Sequence, residues 1–232
     1  MYRKEINERS PIRLLERSIH NGLGKGNIGV VAARAGIGKT ACLVQIALDD
    51  LLRERRVFHV SLEQPVHRVR SWYDEMFHEV VTAYKLPSPD TARVDVERLR
   101  QIHTYVGHSF TIDKLREALR FSREHLHFEP DMIVIDDFPW NEAKASEVKA
   151  LKALAAEVGA EIWMSALTHR EEPVVDPAGI PKPVDQFTPI IDVVVSLVPD
   201  SEKVMLRLLK DHGEPVVTDI SIGLDPRTML LV

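Results

Sequence analysis

The sequence predicts an α/β domain built on a mostly parallel, twisted sheet with helices on both faces and antiparallel strands at its C-terminal end. Three observations carry that expectation. Short apolar runs alternate with amphipathic stretches from residue 28 to residue 167, the strand–helix–strand rhythm of a parallel sheet. A glycine-bearing turn sits between the first of those runs and the helical stretch after it. The last forty residues then change rhythm, with three close-spaced strand-like runs separated by short turns, as in an antiparallel extension.

Residues 9–20 read as a helix with Ile12, Leu15 and Ile19 on one face, broken by Asn21-Gly22-Leu23-Gly24-Lys25-Gly26. Residues 28–33 form a buried-strand run, and 39–53 a helix. A second strand covers 57–62. A long helix over 66–84 is stopped by Pro87-Ser88-Pro89. Residues 102–106 suggest a short strand, and Ile112, Leu115, Leu119 and Leu126 the buried face of another helix. Strand 132–135 ends in Asp136-Asp137, followed by helix 147–158 and strand 162–167. Residues 191–198, 204–209 and 216–222 are the closing strands. The stretch 171–189 holds five prolines and reads as a functional or mobile loop.

Composition narrows the class. The chain has 232 residues, 44% of them hydrophobic and 28% charged, with a formal charge of −5. That balance suits one globular domain and argues against a uniformly basic nucleic-acid binder. A single cysteine, Cys42, excludes an internal disulfide and a multi-cysteine metal cluster, and it reads as a small buried residue. No apolar run approaches the roughly 20 residues of a membrane helix, and the N-terminus has no apolar signal core. The expectation is a cytoplasmic protein without a membrane partner. The ten histidines show no metal-ligand spacing, so no transition metal is expected.

Residues 33–40 read Ala33-Arg34-Ala35-Gly36-Ile37-Gly38-Lys39-Thr40. They fit the P-loop pattern G-x-x-x-x-G-K-[ST] at every position except the first, where alanine replaces glycine. Gly36 and Gly38 allow a backbone curl whose N–H groups point at phosphate oxygens, and the helix that follows presents its positive end to the same anion. Lys39 adds a charge near the outer phosphates, and the Thr40 hydroxyl can ligate Mg²⁺. The nucleotide-binding stretch is therefore Ala35, Gly36, Ile37, Gly38, Lys39, Thr40 and Ala41. Hydrolysis needs two further groups, an acid that holds Mg²⁺ and a base that positions water. Asp136, at the end of an apolar strand, is the metal candidate ahead of Asp137. For the base, Asp137 and Glu63 both qualify: Asp137 follows directly, and Glu63 ends a strand whose C-terminal end would line the same crevice.

At these residues the chain resembles the RecA-like P-loop ATPases, most closely the ATPase domain of DnaB-type replicative helicases and more distantly the RadA and KaiC proteins. The likeness rests on Val30-Val31-Ala32-Ala33-Arg34 before the turn, Val60-Ser61-Leu62-Glu63-Gln64-Pro65, Ile133-Val134-Ile135-Asp136 and Trp163-Met164-Ser165-Ala166-Leu167-Thr168. It implies a RecA-like ATPase domain over 21–232 behind an N-terminal helical arm, 1–20. It implies ATP as ligand or substrate, Mg²⁺ on Thr40 and Asp136, and catalytic roles for Lys39 and for Glu63 as the water-activating glutamate. The arm resembles the segment by which such subunits grip a neighbour, which implies a homo-oligomer.

Several positions depart from that pattern. The family's phosphate-sensing Gln or His corresponds to Ala166, with Thr168, His169 or Arg170 as substitutes. The lysine and arginine that reach a neighbouring site correspond to Leu209-Lys210-Asp211-His212-Gly213, where only Lys210 matches. The loop expected at a DNA channel carries Glu171, Glu172, Asp176 and Asp185 against Lys182. Trp140 either packs or stacks on a base. Basic residues gather at Arg3, Lys4, Arg9, Arg13, Arg17 and Lys25, a pattern usual for solvated helix faces. The resulting expectation is a slow Mg²⁺-dependent ATPase acting as a nucleotide-dependent switch with a protein partner. The alternative is an ATPase stimulated by single-stranded DNA and accessory to replication, recombination or repair.

Overall fold

A computed structural model describes residues 10–20, 22–105, 107–168, 179–200, 203–214, 216 and 222–232. Among these, the chain forms six α-helices and eight strands. The helices are α1 (Pro11–Ser18), α2 (Lys39–Leu52), α3 (Val66–Tyr84), α4 (Pro89–Arg98), α5 (Ile112–Leu126) and α6 (Ala145–Val158). The strands are β1 (Ile28–Ala33), β2 (Val57–Ser61), β3 (Arg100–Thr104), β4 (Met132–Asp136), β5 (Glu161–Leu167), β6 (Val193–Asp200), β7 (Lys203–Asp211) and β8 (Ile222–Leu224).

All eight strands join one sheet in the order β3-β2-β4-β5-β1-β6-β7-β8. Pairing is parallel from β3 through β6 and antiparallel at β6–β7 and β7–β8. The central strands β1, β2 and β4 are buried along their whole length, which is why their sequences run apolar instead of alternating. Side-chain parity divides the core into two layers. Val31, Val57, Val134 and Trp163 pack with α1, α2, α3 and α4. Ile28, Val30, Ile133, Ile135 and Ala166 pack with α5 and α6.

Two elements differ from the sequence expectation. The segment Pro87-Ser88-Pro89 ends α3 but also starts α4: Pro89 occupies the first turn, where its missing N–H costs nothing, and Ala92 and Val96 bury one face. With only those two buried anchors on a polar helix, the periodic signal is weak. The edge strand β3 begins at Arg100, pairing Val57 with Arg100 through Ser61 with Thr104, two residues before the apolar run suggests. The third closing strand is described at 222–224, while 217–221 lie outside the described residues.

Helix α1 lies against its own chain. Ile12, Leu15 and Ile19 are buried in the α2-side core. Arg13 pairs with Glu16 and Asp49, and Arg53 reaches Glu16 at 3.1 Å. Of the basic N-terminal group, Arg13 is therefore spent on an internal ion-pair cluster, while Arg3, Lys4 and Arg9 lie outside the described residues. No helix among the described residues is long and apolar enough to cross a membrane.

Candidate functional site

The glycine turn follows β1 directly and ends on the first residue of α2. Gly36 has φ +75° and Gly38 φ +106°, conformations in which a Cβ is strained. At Gly38 space is also lacking, because a Cβ there would lie 2.6 Å from Leu224 Cδ2 and 2.8 Å from Met229 Cε. Gly38 is the N-cap of α2, and no side chain caps that end. The first-turn N–H groups are thus left for another acceptor, the arrangement that receives an anion. Ala35 and Gly36 are exposed, Ile37 and Gly38 half-buried, and Ala41 is buried in the core.

Lys39 is half-buried, and its Nζ reaches back to the Arg34 carbonyl at 3.5 Å. Burial lowers its pKa, against the opposing pull of Asp136, Asp137 and Glu63. Those three carboxylates are therefore its electrostatic neighbours. The Thr40 hydroxyl donates to Asp136 Oδ2 at 2.7 Å, tying the start of α2 to the end of β4. Asp136 is buried, and its Oδ1 has no hydrogen-bond partner. Beside it in register is Ser61. The parity that puts Val57 in the α2-side core leads through His59 to Ser61, where β2 ends; Glu63 lies two residues past the strand, not at its end as the sequence suggests, and is exposed.

Asp137 leaves the strand with φ +63°, and its N–H donates to Ser165 Oγ at 2.8 Å. Burial pushes its carboxyl up to about 7, Asp136 and Glu63 add to the rise, and Lys39 opposes it. Ser165 has a second role, since its carbonyl accepts from Trp140 Nε1 at 2.7 Å. The sequence signal for Ser165 was its parity: it shares a face with Trp163, the α2 side, whereas Ala166 does not.

That parity corrects the sensor assignment. Ala166 is fully buried among α6 residues on the far face of the sheet, so the position cannot meet a group held by the turn. Thr168 is half-buried with its N–H on the Ala33 carbonyl, and His169 and Arg170 lie outside the described residues. Trp140 is buried in an aromatic row with Phe138 and Phe187, at centroid distances of 5.0 and 5.4 Å, and is closed to base stacking. Lys210 is turned inward. Its Nζ donates to the Thr188 carbonyl at 2.6 Å and to the Ile191 carbonyl.

The proline-rich stretch is also not a free loop throughout. Ile180, Val184 and Phe187 anchor its second half in the core, while Glu171, Glu172 and Asp176 lie outside the described residues. Cys42 is buried, and burial pushes its thiol up to about 12. A further polar group beneath the site escaped the sequence reading. His59, fully buried, contacts the Tyr73 hydroxyl at 3.0 Å, and Arg100 lies over the Tyr73 ring at 4.3 Å.

Beyond Glu63 and Asp137 the surface opens into a cavity of about 610 Å³ between the ends of β2 and β4 and the start of α5. At the other end of the sheet, Glu16, Asp49 and Asp50 bring carboxylate oxygens within 4.8 Å of one another. Arg13, Arg53 and Arg55 already engage them, so this cluster is an ion-pair clasp. The chain matches no protein-family model and none of the curated proteins with which it was compared.

Proposed function

We propose that this chain is a RecA-like P-loop protein that binds Mg²⁺–ATP, hydrolyses it slowly and uses its nucleotide state as a switch for assembly or partner binding. The observation that carries the reading is the Thr40–Asp136 hydrogen bond. It joins the residue after the turn's lysine to the carboxylate at the end of a parallel strand two positions away in the sheet. A chance glycine turn gives no reason for that juxtaposition.

The donor set suits a hard divalent cation. A hydroxyl and a carboxylate meet, and the carboxylate keeps one buried oxygen without a partner. Thr40 and Asp136 would hold Mg²⁺, which when bound neutralises charge on the outer phosphate oxygens. The rest falls to the chain. Gly36 and Gly38 shape the backbone around the phosphates, the uncapped start of α2 offers its N–H groups, and Lys39 supplies the full positive charge. Its lowered pKa reports partial desolvation, which strengthens its attraction for phosphate. Glu63, which has no hydrogen-bond or ion-pair partner among the described residues, orients the attacking water and takes its proton. Turnover is slow in this reading because residues 209–213 carry no arginine and Lys210 is spent on backbone carbonyls.

Stimulation by DNA loses support with Trp140 buried and with carboxylates gathered beside the site. The test is steady-state phosphate release from Mg²⁺–ATP. Glu63→Gln is expected to keep ATP bound and to lower turnover by roughly 10²–10⁴. A wild-type rate in Glu63→Gln together with a collapse in Asp137→Asn would move the water-activating role to Asp137.

A further inference from the structure

We propose that the cavity beyond Glu63 is a binding site for a small organic cation, an ammonium or guanidinium group carried on an apolar body. The cavity is separate from the glycine turn: neither Lys39 nor Gly36 nor Gly38 lines it. Its volume, about 610 Å³, falls in the range that encloses most of a small ligand. One wall is apolar, formed by Leu62, Tyr105, Phe110 and Phe138. Tyr105 and Phe110 meet edge to face at 5.5 Å, and Phe110 and Phe138 at 6.5 Å, so the rings are fixed against one another.

Carboxylates dominate the charge on this wall, with His108 the one basic side chain among the described lining residues and Lys39 acting on Glu63 and Asp137 from the turn. Glu63, Asp113, Asp137, Glu142 and Glu147 line the cavity, and no lysine or arginine does so among the described residues. Two of the five are partly committed: Asp113 pairs with Arg116 at 2.9 Å, and Glu147 accepts from the Lys144 N–H at the start of α6. Glu63 and Glu142 have no such partner among the described residues. A phosphate or nucleic acid would meet repulsion here, and a purely apolar ligand would strip water from carboxylates without replacing it. A bare metal ion fits poorly as well. Among the described residues, the place where three ligating groups converge is Glu16, Asp49 and Asp50, at the other end of the sheet. An organic cation satisfies both halves of the lining, with its body against the rings and its charge toward the carboxylates.

Because Glu63 and Asp137 belong to the cavity and to the nucleotide site alike, an occupant would hold a positive charge beside the water-activating carboxylate and slow hydrolysis. That consequence rests on the nucleotide reading; the binding itself does not. The test is ligand-observed NMR titration of the full chain without nucleotide. The probes are aryl and branched-alkyl ammonium and guanidinium compounds, each paired with its uncharged alcohol, for instance phenethylammonium with 2-phenylethanol. At least one cation is expected to bind with a Kd on the order of 1 mM or tighter, about tenfold more tightly than its alcohol. Glu142→Lys, at an exposed position outside the catalytic machinery, is expected to weaken it about tenfold, while Lys39→Ala, which removes a positive charge near Glu63 and Asp137, is expected not to weaken it. Binding of no cation, equal binding of cation and alcohol, or unchanged binding in Glu142→Lys overturns the proposal. Cation binding in a chain that does not bind ATP would overturn the nucleotide reading and leave this one standing; ATP binding without cation binding would do the reverse.

Discussion

Gly38 carries two constraints at once. Its φ of +106° lies where side chains rarely go, and the space a Cβ would take is filled by Leu224 and Met229 from the C-terminal segment. Gly38→Ala is therefore expected to cost about 1–3 kcal/mol of stability and to distort the turn, read by denaturant unfolding and by loss of ATP affinity together. Gly36 differs: nothing lies within 4 Å of its would-be Cβ, so only conformation opposes substitution there. Gly36→Ala should keep more stability than Gly38→Ala. Equal costs would show that packing of the C-terminal segment contributes nothing at the turn.

Between elements, a second contact near the site runs through Gln45 on α2. Its amide donates to the Met229 carbonyl at 2.6 Å, and its Oε1 accepts from the Leu231 N–H at 2.7 Å. This buried side chain straps the C-terminal segment over α2 and so holds Leu224 and Met229 against Gly38. Gln45→Ala leaves the buried Leu231 N–H and the half-buried Met229 carbonyl without their partner and is expected to cost roughly 1–3 kcal/mol, measured by thermal or denaturant unfolding. No loss would mean that the strap does not stabilise the native state.

The elements also show what the sequence makes legible. β1, β2 and β4 are read directly because buried parallel strands are mostly apolar, and the Gly-x-Gly-Lys-Thr turn stands out because it needs glycine at positive φ. The meeting of Thr40 with Asp136 follows from those two readings. By contrast, α4 hides because a stop signal for one helix doubles as a start for the next. The face on which Ala166 lies follows from strand parity relative to Trp163, whereas the burial of Trp140 and Lys210 depends on partners distant in sequence, to which local pattern is blind. The cavity assembles from three chain segments and carries no local motif at all.

For the molecule as a whole, the ion-pair clasp between α1, α2 and β5 sets a pH dependence. Burial raises Asp50 to about 6, against Arg55, Arg53 and Arg13. Burial likewise raises Glu161 to about 7, with Asp50 and Glu16 adding to the rise and Arg55 opposing it. A carboxyl with a folded pKa above its unfolded value is bound more tightly by its proton in the native state. Stability therefore falls as pH rises from the unfolded pKa, near 4, to the folded pKa, near 7. The unfolding free energy is expected to drop between pH 5 and pH 7.5, with Glu161 contributing roughly 1–3 kcal/mol. His20, raised by its hydrogen bond to Asp211, and Asp137, raised by burial, push the same way, while buried His59, lowered to about 4, pushes the opposite way below about pH 6.5, so the decisive comparison is Glu161→Gln, in which the fall should shrink. A wild-type fall in that variant would assign the dependence to other groups.

The central claim is that the turn at residues 35–41 binds a nucleotide through Lys39, with Thr40 and Asp136 holding its cation. Isothermal titration of Mg²⁺–ATP into the wild type and into Lys39→Ala tests it most directly. Saturable one-site binding that weakens at least about tenfold in Lys39→Ala, with the circular dichroism spectrum unchanged, is the expected result. Absence of binding in the wild type, or equal affinity in Lys39→Ala, would contradict it.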